Sequence, residues 1–132
     1  MEEASDFDLE GWRNALLIEA SDANERFSQV IYSLRHDDPT VAVDELYRRA
    51  RLLLRSLVTD GLLSVVEVQC RDTDRAGYRE VVHEDALPLE AALKMIDNPE
   101  VYDRDHTAAH RFYELATTSQ GERYLDQLQR SS

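Results

Sequence analysis

Four arginines lie close together in one short predicted helix, and their spacing is that of a nucleic-acid contact. Arg48, Arg51 and Arg55 are spaced i, i+3, i+7, which places them on one helix face, and Arg49 flanks that face. Guanidinium groups in such a position read guanine edges in the major groove of DNA or grip phosphates. These four arginines are therefore the candidate DNA-binding residues.

Acidic residues one helical turn upstream offer two of the arginines a local partner instead. Asp44–Arg48 and Glu45–Arg49 are both i, i+4 pairs with the acid first. That order stabilises a helix by about 0.2–0.5 kcal/mol per pair. The other two arginines have no acid one turn upstream, so the sequence leaves open whether they contact DNA, a protein or internal acids.

The charge distribution disfavours nucleic acid as the partner. The 132 residues carry a net charge of −12, divided as −7 over residues 1–38, +1 over 39–71 and −6 over 72–132. Binding to phosphates depends on a positive field. The two acidic flanks would repel a duplex, and they indicate a basic protein as the partner.

Clustered acids near the N-terminus and in a later polar segment are the candidate residues for binding that partner. Such clusters raise the association rate with a basic protein. A solvated tail is the alternative for the N-terminal group, although Phe7 and Leu9 among the acids favour an anchored segment. The candidate residues are Glu2, Glu3, Asp6, Asp8, Glu10, Asp103 and Asp105.

Other reactive side chains form no recognisable motif. His106 and His110 would share a helix face and could bind zinc, but Asn98, Pro99 and the polarity of their segment indicate a loop. Cys70 is in phase with the apolar side of a predicted strand and is interpreted as a small buried hydrophobe. We expect no catalytic residues, no metal and no cofactor, and therefore a protein that is not an enzyme.

Bulk features predict one cytoplasmic domain over residues 1–132. A single cysteine excludes an intrachain disulfide and fits a reducing compartment. The acidic N-terminus has no apolar run of the kind that a secretory signal needs, and no stretch approaches the ~20 apolar residues of a membrane span. Residues 1–8 are predicted to form a flexible acidic tail, and residues 130–132 are expected to fray.

Hydrophobic periodicity predicts the element order helix, helix, helix, strand, strand, helix, strand, helix. The third helix is the clearest, with a wide apolar stripe that a glycine ends at Gly61. Capping residues are expected at Asp22 with Glu25, at Thr40, and at Ser119 with Glu122. The stripe of the third helix contains Val43, Leu46, Tyr47, Ala50, Leu53, Leu54, Leu57 and Val58.

Two segments resemble the winged-helix family. Residues 52–68, LLLRSLVTDGLLSVVEV, are similar to that family's third helix running through a glycine into the first wing strand. Residues 113–125, YELATTSQGERYL, resemble the strand-then-helix ending of several winged-helix regulators. The resemblance implies an α+β, mostly helical fold with a small antiparallel sheet. The chain departs from the family in placing roughly forty residues and an extra helix in or after the wing.

Three functions follow as hypotheses. The first is a non-catalytic module whose acidic surface binds a basic protein, for instance an immunity-type inhibitor of a nuclease toxin. The second is a winged-helix transcription regulator that reads DNA through the arginines, in which case a homodimer would be expected to match paired half-sites. The third, an enzyme built from scattered carboxylates, ranks last.

Overall fold

The computed structural model describes residues 7–131, which form five α-helices and one three-stranded antiparallel sheet. Two short 3-10 turns, Pro99–Tyr102 and His106–Ala108, lie in the connection between the fourth helix and the last strand. The elements in chain order are α1 (Leu9–Asp22), α2 (Phe27–Asp37), α3 (Val43–Thr59), β1 (Leu63–Asp72), β2 (Arg79–Ala86), α4 (Leu89–Ile96), β3 (Arg111–Thr117) and α5 (Ser119–Ser131).

The predicted α+β class and the predicted element order are confirmed. The extra helix, α4, lies between β2 and β3. The largest difference is in β2, which was predicted over residues 78–82 but extends to Ala86. Its charged second half has no strand pattern of its own, and it is held by pairing with β1, as in the Val66–Ala86 pair.

Helix α3 is the centre of the hydrophobic core. Its predicted apolar stripe is buried at Leu46, Ala50, Leu53, Leu54, Leu57 and Val58. Val43, the first residue of the helix, is 63% exposed and is not part of the buried stripe. The stripe packs with buried side chains from α1, α2, α4 and β1, so α3 fixes the positions of the other elements.

The sheet has the order β2-β1-β3, with β1 in the centre. Successive strand residues point to opposite faces. Val65 and its partner Leu115 face the helical core, whereas Val68 and its partner Phe112 belong to a separate small cluster on the other face. Cys70 is half-buried and packs against that second cluster, in agreement with its predicted phase.

The two segments that resemble a winged helix contact each other directly. Gly61 has φ 77°, a left-handed conformation that glycine adopts cheaply, and its carbonyl accepts a hydrogen bond from Thr118 Oγ1 at 2.7 Å. A Cβ at Gly121 would lie 2.3 Å from the carbonyl oxygen of Leu62, so only glycine permits this approach of α5. The end of α3 and the start of α5 are therefore joined at one point.

Three predicted helix starts are wrong by a few residues. Glu25 does not cap α2; its backbone bridges to Leu115 of β3, and Arg26 precedes the helix. Ala42 rather than Thr40 precedes α3. At α5, the hydroxyl of Thr118 accepts the backbone N–H of Gly121 at 3.0 Å.

Helix α5 continues to Ser131, the last described residue, and the expected fraying of residues 130–132 stays a prediction. Residue 132 lies outside the described residues.

Candidate functional site

The arginine-rich part of α3 is largely neutralised by carboxylates. One carboxylate, Glu45, receives both Arg48 (Nε to Oε1, 2.7 Å) and Arg49 (Nε to Oε2, 2.9 Å). The predicted Asp44–Arg48 pair is wrong, because Asp44 instead accepts the backbone N–H of Glu45 at 2.9 Å. The two guanidinium groups lower the pKa of Glu45 to about 2 through their hydrogen bonds, against an opposing effect of burial.

The remaining two candidate DNA-binding arginines differ from each other. Arg55 donates from Nη1 to Asp97 Oδ2 at 2.8 Å, which connects α3 to the C-terminal end of α4. Arg51 is half-buried and makes no hydrogen bond or ion pair within residues 7–131. Its charge lies near enough to Tyr102 to oppose the rise that burial causes in the pKa of that phenol.

Of the N-terminal acids, only Asp8 and Glu10 lie within the described residues, and they differ in role. Asp8 caps α1, since its Oδ1 accepts the backbone N–H of Gly11 at 3.0 Å. Glu10 is exposed in the first turn of α1. Glu2, Glu3 and Asp6 lie outside the described residues.

Phe7, which lies between two of the N-terminal acids, is anchored. Phe7 packs against the core, and its ring lies 5.2 Å from the guanidinium carbon of Arg49. The predicted flexible tail, residues 1–8, therefore overlaps at its end with a segment that has defined contacts.

The two acids of the α4–β3 connection are exposed and adjacent. Asp103 Oδ1 accepts the backbone N–H of Asp105 at 2.9 Å, and Asp105 immediately precedes the second 3-10 turn. Asp103 also lines a groove beside α2, whereas Asp105 does not. The structure therefore brings only the first of them next to a concave surface.

The two histidines of this connection have separate structural partners. His106 stacks on Tyr113 with ring centroids 5.8 Å apart, and its Nε2 accepts the backbone N–H of that tyrosine at 3.1 Å. Burial lowers the pKa of His106. His110 Nε2 lies 3.1 Å from Asp72 Oδ1. Across residues 7–131, no group of three His, Cys, Asp or Glu side chains is arranged to hold a metal ion.

A groove of about 830 Å³ lies beside α2, and we call it the α2 groove. Tyr32, which is 71% exposed, stands at its edge. Arg35 at the groove donates to the carbonyl oxygens of Pro39 and Val41, so its charge is used to hold the α2–α3 turn. The other lining residues are Ser28, Gln29, Ile31, Leu46, Tyr47, Pro99, Glu100, Tyr102, Asp103 and Arg104.

Packed aromatic rings position the wall of the α2 groove. Tyr102 is buried, donates its hydroxyl to the carbonyl of Ile96 at 2.7 Å, and meets Tyr47 edge-on at 5.6 Å between centroids. A second edge-on contact joins it to Phe27 of α2 at 5.4 Å. Burial raises the pKa of Tyr102 well above its usual range. The 3-10 turn that carries Glu100 is thereby fixed against α2 and α3.

A smaller and more enclosed cavity of about 330 Å³ lies on the other side of Tyr32, between α1 and α2; we call it the α1–α2 cavity. Its apolar lining includes half-buried Trp12 and buried Leu16, Val30 and Leu53. The remaining lining residues are Ala15, Glu19, Glu25, Gln29, Tyr32, Ser33, His36 and Asp37.

Tyr32 and the two concavities on either side of it form one surface, which we call the Tyr32 surface. Tyr32 is stacked on His36, with ring centroids 6.2 Å apart. The pKa of Glu25 is raised, first by burial and then by the nearby charge of Glu19. Five carboxylates border this surface, and in residues 7–131 their side chains make no ion pair: Glu19, Glu25, Asp37, Glu100 and Asp103.

Sequence reasoning identified only Asp103 among the residues of this surface. Tyr32 was detectable in principle, because it lies outside the i, i+3, i+4, i+7 pattern of Phe27, Val30, Ile31 and Leu34 and is therefore an aromatic residue off the buried face. The local sequence does not indicate that Glu19 of α1 and Glu25, which lies between α1 and α2, line the same cavity.

Comparison of the chain with protein-family models, with curated proteins and with solved structures finds no match. None of the helices within residues 7–131 combines the length and the apolar character needed to cross a membrane.

Proposed function

We propose that this protein is a non-catalytic protein-binding module and that its Tyr32 surface engages a basic partner protein. The observation that carries the proposal is an exposed aromatic side chain, Tyr32, between two concavities that are bordered by carboxylates without ion-pair partners in residues 7–131. We further propose that it acts in the cytoplasm, which fits its single cysteine.

Known energetics of interfaces support this use of the surface. Binding energy concentrates in a few residues, among which tyrosine, tryptophan and arginine are enriched, at sites from which surrounding contacts exclude water. Tyr32 with a groove on either side meets that description. The bordering carboxylates would accelerate association with a positively charged protein and disfavour acidic competitors.

The size and charge of the chain support one instance of this class. An immunity-type inhibitor neutralises a basic toxin, such as a nuclease, by covering it with an acidic surface. A domain of 132 residues with a net charge of −12 is suited to such a role.

A winged-helix DNA-binding regulator is the second candidate. It is favoured by the order of three helices followed by a strand hairpin, and by Arg51, which lacks an ion-pair partner in residues 7–131. It is disfavoured because Arg48, Arg49 and Arg55 each form an ion pair with a carboxylate, and that ion pair would have to be broken before the arginine could bind DNA. The net charge counts against it as well.

The experiment that tests the proposal is capture of partners from the native cell extract, with and without nuclease. The bait is the unmodified protein, Tyr32→Ala, or the control Tyr78→Ala, which removes another exposed tyrosine from the β1–β2 turn. We expect one basic protein to be retained by the unmodified bait and by Tyr78→Ala, insensitively to nuclease, and lost from Tyr32→Ala.

Two results would contradict the proposal. Equal retention by all three baits would exclude the Tyr32 surface as the binding site. Recovery of DNA alone, lost at moderate salt, would favour the regulator, since phosphate contacts weaken steeply with salt.

A further inference from the structure

The α1–α2 cavity combines an apolar interior with an acidic mouth. Trp12, Leu16, Val30 and Leu53 provide the interior, and Leu53 is fully buried. A volume of about 330 Å³ is at the lower end of the range of about 300–1,000 Å³ that small-molecule sites occupy. The cavity is thus suited to one side chain rather than to a helix or strand of a partner.

The charges at the mouth determine what that side chain should be. Glu19, Glu25 and Asp37 line the cavity, and neither Arg nor Lys is among the lining residues. In residues 7–131 these three carboxylates receive no side-chain hydrogen bond and no ion pair. A cation entering the cavity would therefore meet three carboxylates that pair with no other side chain of residues 7–131.

The aromatic lining distinguishes between the two basic side chains. A guanidinium is planar and more weakly hydrated than an ammonium, stacks on indole, and forms forked hydrogen bonds with carboxylates. Trp12 beside two glutamates offers both kinds of contact in one cavity. We infer, on the basis of the proposed function, that the α1–α2 cavity receives an arginine side chain of the basic partner protein.

The occupant can be tested without the partner, because Trp12 is the only tryptophan of the chain and its fluorescence reports on the cavity directly. The unmodified protein is titrated with N-acetyl-L-arginine amide and with N-acetyl-L-citrulline amide, which has the same shape without the charge. We expect a saturable change with the arginine compound and at least tenfold weaker binding of the citrulline compound. Equal responses, or no saturable response to arginine, would overturn the inference.

Variants locate the binding. Glu19→Gln combined with Glu25→Gln should weaken arginine amide binding at least tenfold, whereas Glu84→Gln, which removes a carboxylate from the exposed edge strand β2, should leave it unchanged. Ala15→Leu, at an exposed lining position, should block the cavity and remove the fluorescence response. Circular dichroism melting confirms that each variant is folded. Unchanged binding by the glutamine double variant would exclude these carboxylates.

The result can be separated from that of the proposed function. If Tyr32→Ala loses the partner but arginine amide does not bind, the proposed function stands and the arginine cavity is rejected. If arginine amide binds in the expected way but partner capture does not depend on Tyr32, the Tyr32 surface is rejected as the interface.

Discussion

The arginine-rich side of α3 and the Tyr32 surface lie on neighbouring elements, but their charged side chains differ in whether they form ion pairs. On α3, Glu45 binds two guanidinium groups and Asp97 binds a third. Around α2, carboxylates such as Glu19 and Glu25 border concave surfaces without an ion pair in residues 7–131. Ion pairs that are already formed serve the fold, whereas carboxylates left without a partner are available to a second molecule.

The comparison also explains why the most conspicuous sequence feature is not the proposed site. Arg49 contacts Glu45, Asp38 and the ring of Phe7, and its side chain is 13% exposed. A side chain held on three sides is costly to withdraw for DNA binding. Tyr32 stacks on the ring of His36 and is 71% exposed.

The largest stability effect should come from Arg49→Ala. Loss of its ion pairs and of its packing on Phe7 should lower the free energy of unfolding by about 1–2 kcal/mol. The measurement is urea denaturation, with Arg48→Ala as the control. Arg48 pairs with the same carboxylate, Glu45, but is exposed. Its replacement should therefore lower the free energy of unfolding by less than about 0.5 kcal/mol. An equal decrease in the free energy of unfolding for the two variants would contradict the proposed structural role of Arg49.

Glu45→Gln should produce the next effect, about 0.5–1 kcal/mol at neutral pH, because the carboxylate is partly exposed and solvent screens its pairs. The folded-state pKa of Glu45 lies at about 2, below the unfolded value. Its contribution is therefore complete above the unfolded pKa and is lost as the pH falls toward 2. Thermal unfolding of both proteins from pH 7 to pH 2 should show the difference vanish at the acid end; a difference that persists there contradicts the pairing.

Glu25→Gln should have a smaller effect of the opposite sign. Burial and Glu19 raise the folded-state pKa of Glu25, so its ionised form is disfavoured in the fold and stability decreases as the pH rises through that pKa. The variant should be more stable than the unmodified protein at pH 7, by less than about 0.5 kcal/mol, and equal to it at pH 3. A loss of stability at pH 7 would indicate that this carboxylate has a structural partner.

Arg51→Gln should have the smallest effect. Arg51 makes no ion pair in residues 7–131, and its replacement should change the free energy of unfolding by no more than about 0.5 kcal/mol. Binding of a mixed-sequence 30-base-pair duplex at 150 mM salt, followed by fluorescence anisotropy, should be undetectable for both proteins. Duplex binding that Arg51→Gln weakens would instead support the DNA-binding candidate.

Periodicity and turn residues predicted the α+β class, the element order and the apolar stripe of α3, because these depend on near neighbours along the chain. The same reasoning misplaced the starts of α2, α3 and α5. Before α2, Glu25 forms a bridge to Leu115 of β3, and before α5, Thr118 donates to the carbonyl of Gly61; both contacts join residues far apart in sequence.

Ion pairs between residues close in sequence could likewise be predicted, whereas ion pairs between distant residues could not. An i, i+4 rule predicted the Glu45–Arg49 pair but not that Glu45 would also take Arg48. The Arg55–Asp97 pair joins residues 42 positions apart and requires α4 to be packed on α3. The sequence spacing could not indicate it.

Composition and local pattern thus define an acidic α+β chain with a helical spine in α3. Tertiary packing decides which charged side chains form ion pairs within the fold and which stay unpaired at the surface. Ion pairing and burial act over a few ångströms in space, and the folded chain brings Glu25, from the α1–α2 connection, to the cavity that Trp12 and Glu19 of α1 also line. The basic partner and its arginine are proposed on that arrangement.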